Sequence, residues 1–314
     1  MGKKNISKVL MMVVMTTLTV CGCEYKDIGE YPVNRYPVML HFDWSNVDSI
    51  PKQMRVGLYP MDNSESTGAF VWLEVGNRDT IVYAPEGSWR MTAWNRDVTH
   101  VVFQHYGWRD SLNVTATDPF TNFNSLYLAN VLDSIFPNHV VKDYPDYMVH
   151  DNQDVVNVKQ DMENVINVKP ERMVTAVNIT AHGIKGLDIV KMTKGVLSNI
   201  RGKRYIAYPN KTEEDVTVLF DAKSHPDEET VTATFWVFGI EPQRKHRTAF
   251  FFYTSRGQAF FDMDVTDLVN KEITDGSDVN IDIYLDFDLR KILPMNDFDI
   301  NIDEWTDEWK PIGF

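Results

Sequence analysis

Three acidic residues near the C-terminus have a spacing that carboxylate chemistry could use. Asp282, Asp286 and Asp288 stand at even positions of a segment whose odd positions, from 281 to 287, are apolar. Alternate residues of a β-strand share a face, so the three carboxylates would form one row. A glycoside hydrolase needs two carboxylates that flank the scissile bond from opposite sides. A row on the solvent-exposed face of a strand has the same spacing without any catalysis, and the sequence favours that interpretation.

The histidines and oxygen-bearing side chains do not form a recognisable metal site. The eight histidines are scattered, and the nearest pair, His100 and His105, would lie on opposite faces of a strand. None has the His-x-x-x-His spacing that brings two ligands to one face of a helix. Residues 296–304 alternate oxygen-bearing with apolar side chains, but they lack the glycine and the spacing of a calcium-binding EF-hand loop. We therefore expect no metal and no cofactor.

The sequence also contains no recognisable set of residues for nucleophilic catalysis. Ser88 in Gly87-Ser88-Trp89 lacks the second glycine of a nucleophile elbow. The glycines are dispersed along the chain, so no phosphate-binding loop is predicted. The sequence therefore predicts a protein that is not an enzyme.

The two cysteines of the chain, Cys21 and Cys23, follow an apolar run at the N-terminus. The run covers residues 9–20, which is shorter than the ~20 residues that a membrane-spanning helix needs, and it follows a lysine-rich start typical of a signal peptide. Val20-Cys21-Gly22-Cys23 resembles the lipobox of bacterial lipoproteins, which implies cleavage after Gly22 and diacylation of Cys23. Cys21 fits that motif less well, because Val20 would occupy a position that needs a small residue. The alternative is a buried apolar helix with two incidental cysteines.

A lipid on Cys23 predicts where the protein works. Two or three acyl chains on one cysteine hold a protein lastingly at a membrane. Residues 24–30 are polar and acidic, and they resemble the short signal that sends Bacteroidetes lipoproteins to the outer face of the outer membrane. We therefore expect residues 1–22 to be a signal peptide and residues 23–35 a tether. The expected location is the outer membrane, with the protein anchored by its lipid and displayed at the cell surface.

The composition limits both the partners and the number of domains. The formal net charge of −14 argues against a basic surface for nucleic acid. Apolar residues make up 43% of the chain and aromatic residues 12%, which is enough for a packed core. Removal of the leader leaves roughly 290 residues, the length of one large domain or two ordinary ones.

Alternation of apolar and polar residues predicts an all-β protein with few short helices. In the N-terminal half the predicted strands cover residues 38–43, 54–60, 70–75, 79–84, 89–94 and 99–103. In the C-terminal half they cover residues 154–168, 173–181, 216–220, 231–238, 248–254, 258–265 and 279–287. Residues 123–136 could form three helical turns or a strand within a long loop, and Thr266 or Asp267 could cap a short helix. Residues 182–186 contain two glycines and predict a turn.

An irregular stretch divides the two series of strands. Residues 137–160 are rich in Asp, Asn, Pro and Tyr and show little periodicity, so we interpret them as a connection. The expected domains are two tandem β-sandwiches, one over residues 36–150 and one over residues 151–314.

Short motifs in both halves resemble a known group of lipoproteins. Residues 55–60, 84–89 and 93–97 resemble a pattern in Bacteroides lipoproteins of unknown function. Residues 233–239 and 261–269 resemble the C-terminal domain of FimB-type fimbrial anchor and assembly lipoproteins of Bacteroidetes. The resemblance implies two transthyretin-like, Greek-key β-sandwiches. It also implies a role in cell adhesion as a fimbrial anchor, minor subunit or assembly component, with fimbrial subunits as partners.

Six aromatic or aliphatic residues are candidates for contact with a partner. They are Trp108, Phe298, Ile300, Ile302, Trp305 and Trp309. All but the first belong to an acidic tail, residues 296–314, which could pair with a strand of another protein. The tail could equally be the closing strand of the second sandwich. Because exposed aromatic rings also stack on sugars, a surface glycan-binding lipoprotein of a polysaccharide-utilisation system is the alternative function.

Overall fold

The computed structural model describes residues 34–61, 71–107, 109–119, 135, 140–208, 211, 215–273 and 278–293. These ranges contain β-strands throughout and two short α-helices, so the predicted all-β class is confirmed. Up to residue 172 the strands are β1 Arg35–Phe42, β2 Met54–Pro60, β3 Val71–Val75, β4 Thr80–Pro85, β5 Gly87–Asn95, β6 Val101–Gln104, β7 Asn113–Ala116, β8 Val140–Asp143, β9 Val149–Val158, β10 Asn164–Val168 and β11 Glu171–Arg172. They continue as β12 Thr175–Lys185, β13 Val190–Arg201, β14 Lys203–Tyr205, β15 Asp215–His225, β16 Thr230–Val237, β17 Arg247–Thr254, β18 Gly257–Asp264 and β19 Val279–Asp288, with helices α1 Thr266–Glu272 and α2 Leu289–Ile292.

The first sandwich packs two sheets against each other. Sheet A has the strand order β10-β1-β4, and sheet B has the order β11-β9-β5-β2-β3. Inward-facing side chains of both sheets form one core, because alternate residues of each strand point to the same side. Its members include Val38, Leu40, Val56, Leu58, Met91 and Ile166.

Strand pairing does not follow the predicted division at residues 150 and 151. β10 pairs with β1 in parallel, and β9 pairs with β5, so strands from residues 149–172 complete the first sandwich. The stretch 137–160, predicted to be irregular, contains all of β8 and β9. The polar residues of this stretch mask the strand pattern in the sequence. They lie in a strand nonetheless, because their side chains form hydrogen bonds, as the Asn152 amide does when it donates to the backbone carbonyl of Ile206. We propose that the domain boundary lies near residue 173.

The second sandwich is one sheet folded over itself. Sheet D has the order β18-β17-β13-β15-β16-β12-β19, and β8 also pairs with β15. The sheet folds over at β15, which pairs with β13 up to Ala222 and with β16 from Lys223 onward. A strand that passes from one layer to the other closes a sandwich at its corner. The two layers bury an aliphatic and aromatic core that includes Val177, Phe220, Phe235, Phe250, Phe252 and Ile281.

β13 was not predicted from the sequence, although it lies in the middle of sheet D. Its residues include Lys191, Thr193 and Lys194, which break the apolar pattern of a buried strand. Lys194 is nevertheless only 5% exposed, and its ammonium group pairs with the carboxylate of Asp221 on β15. A buried charge is tolerated when it is paired in this way. β13 is therefore a buried strand whose sequence lacks the continuous apolar pattern expected of one.

Local features near the second sandwich correct two further predictions. The predicted turn at residues 182–186 is part of β12, which continues to Lys185. Helix α1 begins at Thr266 after the N-cap position of Val265, so neither Thr266 nor Asp267 caps it. The Thr266 hydroxyl instead accepts a hydrogen bond from the backbone N–H of His246, 2.9 Å away. Residues 123–136 lie outside the described residues, apart from Ile135.

A third cluster joins the two sandwiches. Sheet C has the order β14-β7-β6, so it pairs a strand from residues 203–205 with strands from residues 101–116. Beneath it lies an apolar cluster from both halves of the chain, including Trp94, Phe103, Leu112, Met148, Met173 and Phe238. Of the helices in the described ranges, none has the length and apolar character that crossing a membrane requires.

Candidate functional site: an edge strand and its polar face

β19 lies at one edge of sheet D. It pairs with β12 in parallel, and no other strand in the described part of the chain pairs with its second edge. The unpaired N–H and C=O groups of such an edge are a template for a strand from another chain. The edge of β19 is therefore the first component of a candidate interaction site.

The side chains of β19 alternate between the core and solvent. Ile281 and Ile283 are buried, whereas Asp282 and Tyr284 are exposed. Asp286 is also exposed, with 87% of its side chain accessible. The row of carboxylates predicted from the sequence therefore lies on the solvent face of a strand, as the sequence favoured.

A bulge in β19, opposite Gly183 of β12, sets the register of this edge. Cross-strand pairing runs from Val177 opposite Val279 to His182 opposite Tyr284, and it resumes after a shift with Ile184 opposite Phe287. Two residues of β19, Leu285 and Asp286, lie opposite Gly183, which has φ +77°, a left-handed conformation that favours glycine. A Cβ atom at this position would overlap the carbonyl oxygen of Leu285 on β19. Only glycine fits, so it fixes the relation between the two strands.

The charges at this edge are paired with opposite charges. After the bulge, Lys185 Nζ lies 2.8 Å from the Asp286 carboxylate, and this hydrogen bond lowers the pKa of Asp286 and raises the pKa of Lys185. Arg290 on α2 donates to both carboxylate oxygens of Asp188 at 2.6 Å, which lowers the pKa of Asp188. A general acid needs a raised pKa to hold its proton near neutrality. These carboxylates instead form an ionised, solvated surface.

The outward residues of β16, β12 and β19 form a continuous polar face. The Thr234 hydroxyl donates to the side-chain carbonyl of Asn178 at 2.9 Å, and the Asn178 amide donates to that of Asn280 at 3.1 Å. At the next outward position of β12, Thr180 lies between Thr232 of β16 and Asp282 of β19. We call the outward residues of these three strands the polar face.

One aromatic ring projects from the polar face. Tyr284 is 75% exposed, and its ring stacks on the imidazole of His182 with a centroid distance of 4.7 Å and an interplanar angle of 10°. His182 Nε2 lies 3.5 Å from the carboxylate of Asp282. Sequence reasoning missed Tyr284, although its outward position between Asp282 and Asp286 marked it as an exposed aromatic residue.

A family comparison places the chain among related proteins. Residues 22–221 match a family described as a domain of unknown function, DUF5119. The match covers more than half of the chain. The chain belongs to the DUF5119 family.

Solved structures that are similar to this chain come from Bacteroidetes. A candidate adhesin from Bacteroides ovatus ATCC 8483 is 19% identical to the DUF5119 protein, with a TM-score of 0.61 over 85% of this chain and 97% of that one. A second candidate adhesin from Bacteroides ovatus is 8% identical, with a TM-score of 0.50 over 81% of this chain and 90% of that one. The fimbrial anchor protein Mfa2 from Porphyromonas gingivalis is 11% identical, with a TM-score of 0.49 over 80% and 90%. No curated protein sequence matches this chain.

These comparisons confirm the predicted resemblance at the level of the fold. The DUF5119 match ends at residue 221 within β15, so it includes sheets A and B but not β19. The edge strand and most of the polar face therefore lie beyond the region that defines the family.

The predicted contact and lipidation sites lie outside the described residues. They are Cys23, Trp108, Phe298, Ile300, Ile302, Trp305 and Trp309, and they stay predictions. Of the tryptophans that the structure describes, Trp94 and Trp89 are buried, and the half-buried Trp72 packs edge-on against Trp94 at 5.3 Å. Among the described side chains, no group of three His, Cys, Asp or Glu residues is arranged to hold a metal ion.

Proposed function

We propose that the protein is a lipid-anchored adhesion protein of the cell surface that holds a fimbrial subunit through the edge of β19 and the tail that follows it. The single observation that carries this proposal is the second edge of β19, which no strand of the described chain covers. Main-chain hydrogen bonds along such an edge supply affinity, and pockets for alternate side chains supply specificity. Helix α2 ends at Ile292, so the chain passes from this edge directly into the acidic tail.

The shared fold supports the proposal without deciding it. The candidate adhesin from Bacteroides ovatus ATCC 8483 aligns with this chain over 97% of its own length, with a TM-score of 0.61. Proteins with one fold have many different functions, so the function is inferred from the residues of the candidate site. An ionised face beside an open edge suits a protein partner, because charge directs the approach and keeps the edge soluble.

The lipid anchor is the second part of the proposal. Cys23 follows a signal-peptide core and precedes an acidic stretch, which supports attachment to the outer membrane with surface display. Replacing Cys23→Ala should move the protein from the membrane fraction to the soluble periplasmic fraction. The matched control is Cys21→Ala, which should leave membrane partitioning unchanged. Equal partitioning of Cys23→Ala and the unmodified protein in detergent extraction would contradict the anchor.

The tail can be tested for partner binding by deletion. Phe298, Ile300 and Ile302 alternate with polar residues, so a strand made by the tail would present one apolar face to a partner. Deleting residues 296–314 should abolish attachment of the fimbrial polymer while the thermal midpoint stays unchanged. A large fall in the thermal midpoint would mean that the tail closes the second sandwich, and its role as a docking segment would be rejected.

Tyr284 favours a second candidate function, the binding of a surface glycan. An exposed tyrosine ring on a face that also carries hydroxyl and amide groups can stack on a sugar, while those groups bind the sugar hydroxyls. In a glycan-binding assay, Tyr284→Ala should then abolish retention, whereas Tyr83→Ala should not. Tyr83 is a suitable control because it is also exposed, at 57%, but belongs to the first sandwich. Equal retention of both variants would exclude the polar face as a glycan site.

A further inference from the structure

Sheet A carries a row of exposed apolar residues on its outer face. Met39 on β1 lies opposite Ile81 on β4 and opposite Val165 on β10, so the row crosses all three strands. Beside it, Pro37 lies opposite Tyr83. Ile81 is 56% exposed, Tyr83 57% and Val165 48%. We call these five residues the apolar stripe.

The apolar stripe is not explained by the core of the first sandwich. The core takes the alternate residues of the same strands, such as Val38, Leu40 and Ile166. An outward face of such a sheet is ordinarily polar, as the polar face of sheet D is. Met162, in the turn before β10, is a further exposed apolar residue, at 60%. A contiguous exposed apolar surface marks a site of interaction with a protein or a membrane.

The position of the stripe relative to the N-terminus indicates its occupant. β1 begins at Arg35, and only residues 24–34 separate it from Cys23. A fully extended tether of this length spans about 40 Å at ~3.3–3.6 Å per residue. Arg35 pairs with Pro85, and the next outward pair is Pro37 with Tyr83, so the stripe starts where the tether enters the sheet. Acyl chains on Cys23 would therefore hold this face within reach of the bilayer.

We propose that the apolar stripe docks on the membrane that carries the lipid of Cys23, with Tyr83 at the level of the lipid headgroups. This inference rests on the proposed lipid anchor. Tyrosine suits this position because its ring is apolar and its hydroxyl group is polar. Burial of Ile81, Met39 and Val165 among the acyl chains removes their exposed apolar surface from water.

The charge of the protein defines the kind of surface. A net charge of −14 repels anionic lipid headgroups, so docking depends on apolar contact and not on a basic patch. Vesicles of zwitterionic phosphatidylcholine are therefore the appropriate probe. Binding to such vesicles should be insensitive to salt, since screening acts on charge interactions.

The test places a fluorescent label on each sandwich of the full-length lipoprotein. Ile81→Cys and Tyr284→Cys are labelled separately with an environment-sensitive dye. Acylated Cys23 has no free thiol, so each protein carries one label. In phosphatidylcholine vesicles that contain a lipid quencher, we expect the label at position 81 to lose most of its emission and the label at position 284 to keep it. Equal emission at the two positions would overturn the docking.

The stripe itself is tested by a third label at Tyr83→Cys. Combining Ile81→Ser with Val165→Ser should restore the emission of this label in quencher vesicles. The control is Val155→Ser, which changes a residue that is 57% exposed on sheet B, and it should leave the quenching intact. No restoration by the double substitution would contradict a role for the stripe.

Two further outcomes separate this inference from the anchor. A lipoprotein that floats with vesicles but shows no quenching at position 81 contradicts docking and leaves the anchor intact. A protein that does not float contradicts the anchor, and docking with it. Self-quenching of the label at position 81 that rises with protein concentration without lipid would identify a second copy as the occupant and would overturn the membrane assignment.

Discussion

The apolar stripe of sheet A and the polar face of sheet D are both outward surfaces of β-sandwich sheets, yet their chemistry is opposite. On sheet A, Ile81 and Val165 lie side by side with Met39 without charged partners within the row. On sheet D, the corresponding outward positions of β12 and β19 carry amides, carboxylates and the ion pair of Lys185 with Asp286. The inward faces of both sheets are equally apolar.

The outward residues, and not the fold, distinguish the surfaces of the two sandwiches. Alternation fills both cores in the same way, so stability constrains the inward positions alike. The outward positions are free to suit their surroundings. An apolar surface suits lipid, and an ionised surface beside an open edge suits water and a protein partner.

The largest expected effect comes from comparing inward and outward residues of sheet A. Leu40 is fully buried, so Leu40→Ala should lower the free energy of unfolding by about 2–5 kcal/mol through lost burial and a residual cavity. Ile81 is 56% exposed, so Ile81→Ala should cost under about 1 kcal/mol. Urea unfolding of the two variants measures both values. Similar losses would show that the stripe is part of the core, and the contrast between the two outer faces would disappear.

The next largest effect concerns the bulge beneath the polar face. Gly183→Ala should lower the free energy of unfolding by about 3 kcal/mol, because the new Cβ meets the Leu285 carbonyl in a left-handed backbone conformation. Gly76→Ala is the matched control: a Cβ at Gly76 has no heavy atom within 4 Å, so its effect should stay within about 0.5 kcal/mol. Thermal melts of both variants measure the difference. A neutral Gly183→Ala would show that β12 and β19 pair without the bulge.

A smaller effect is expected from acid, and it originates away from both faces. Burial, followed by the charge of Arg204, lowers the pKa of His150 to about 4. His150 therefore binds a proton near pH 6.5 in the unfolded chain but only near pH 4 in the folded chain. The stability that the neutral His150 contributes is complete above pH 6.5 and is lost as the pH falls toward 4. Between pH 6.5 and pH 5 the loss should be about 2 kcal/mol.

Urea midpoints at pH 7 and pH 5 check this expectation. His150→Gln should remove the pH-dependent loss, because glutamine does not titrate. The lowered pKa values of Asp188 and Asp286 keep these two carboxylates ionised over the same range. An unchanged pH dependence in His150→Gln would show that another group is responsible.

The smallest expected effect is that of the ion pair on the polar face. Lys185 and Asp286 are both well exposed, and solvent screens their attraction. Lys185→Met, Asp286→Asn and the double variant should all unfold at the same urea concentration as the unmodified protein. A clear loss in either single variant that the double variant restores would show that the pair is structural, and the polar face would resemble a core more than a free surface.

Local periodicity predicted most strands but not their partners. Residues 54–60 and 279–287 were predicted almost as they occur in β2 and β19, because an aliphatic or aromatic residue recurs at every second position, as at Met54, Val56 and Leu58. The pairing of β10 with β1 joins residues more than 120 positions apart. Such pairing is set by the packing of the whole sandwich and leaves no local pattern, which is why the boundary at residues 150 and 151 did not match the sheets.

The candidate site was only partly visible in the sequence. The carboxylate row of β19 and its solvent exposure could be predicted from alternation alone. The turn predicted at residues 182–186 was wrong because Gly183 lies within β12, opposite a bulge of β19, and a glycine looks the same in the sequence there as in a turn. The apolar stripe was not recognised, since alternation assigns residues to two faces without stating which neighbours lie beside them in the sheet.

Photo-crosslinking on intact cells tests the central contrast most directly. A photoreactive amino acid replaces Ile81 in one strain and Tyr284 in another, and the adducts are analysed for protein and for lipid. We expect lipid adducts from position 81 and a protein adduct, with a fimbrial subunit, from position 284. A protein adduct from position 81 together with none from position 284 would contradict this expectation.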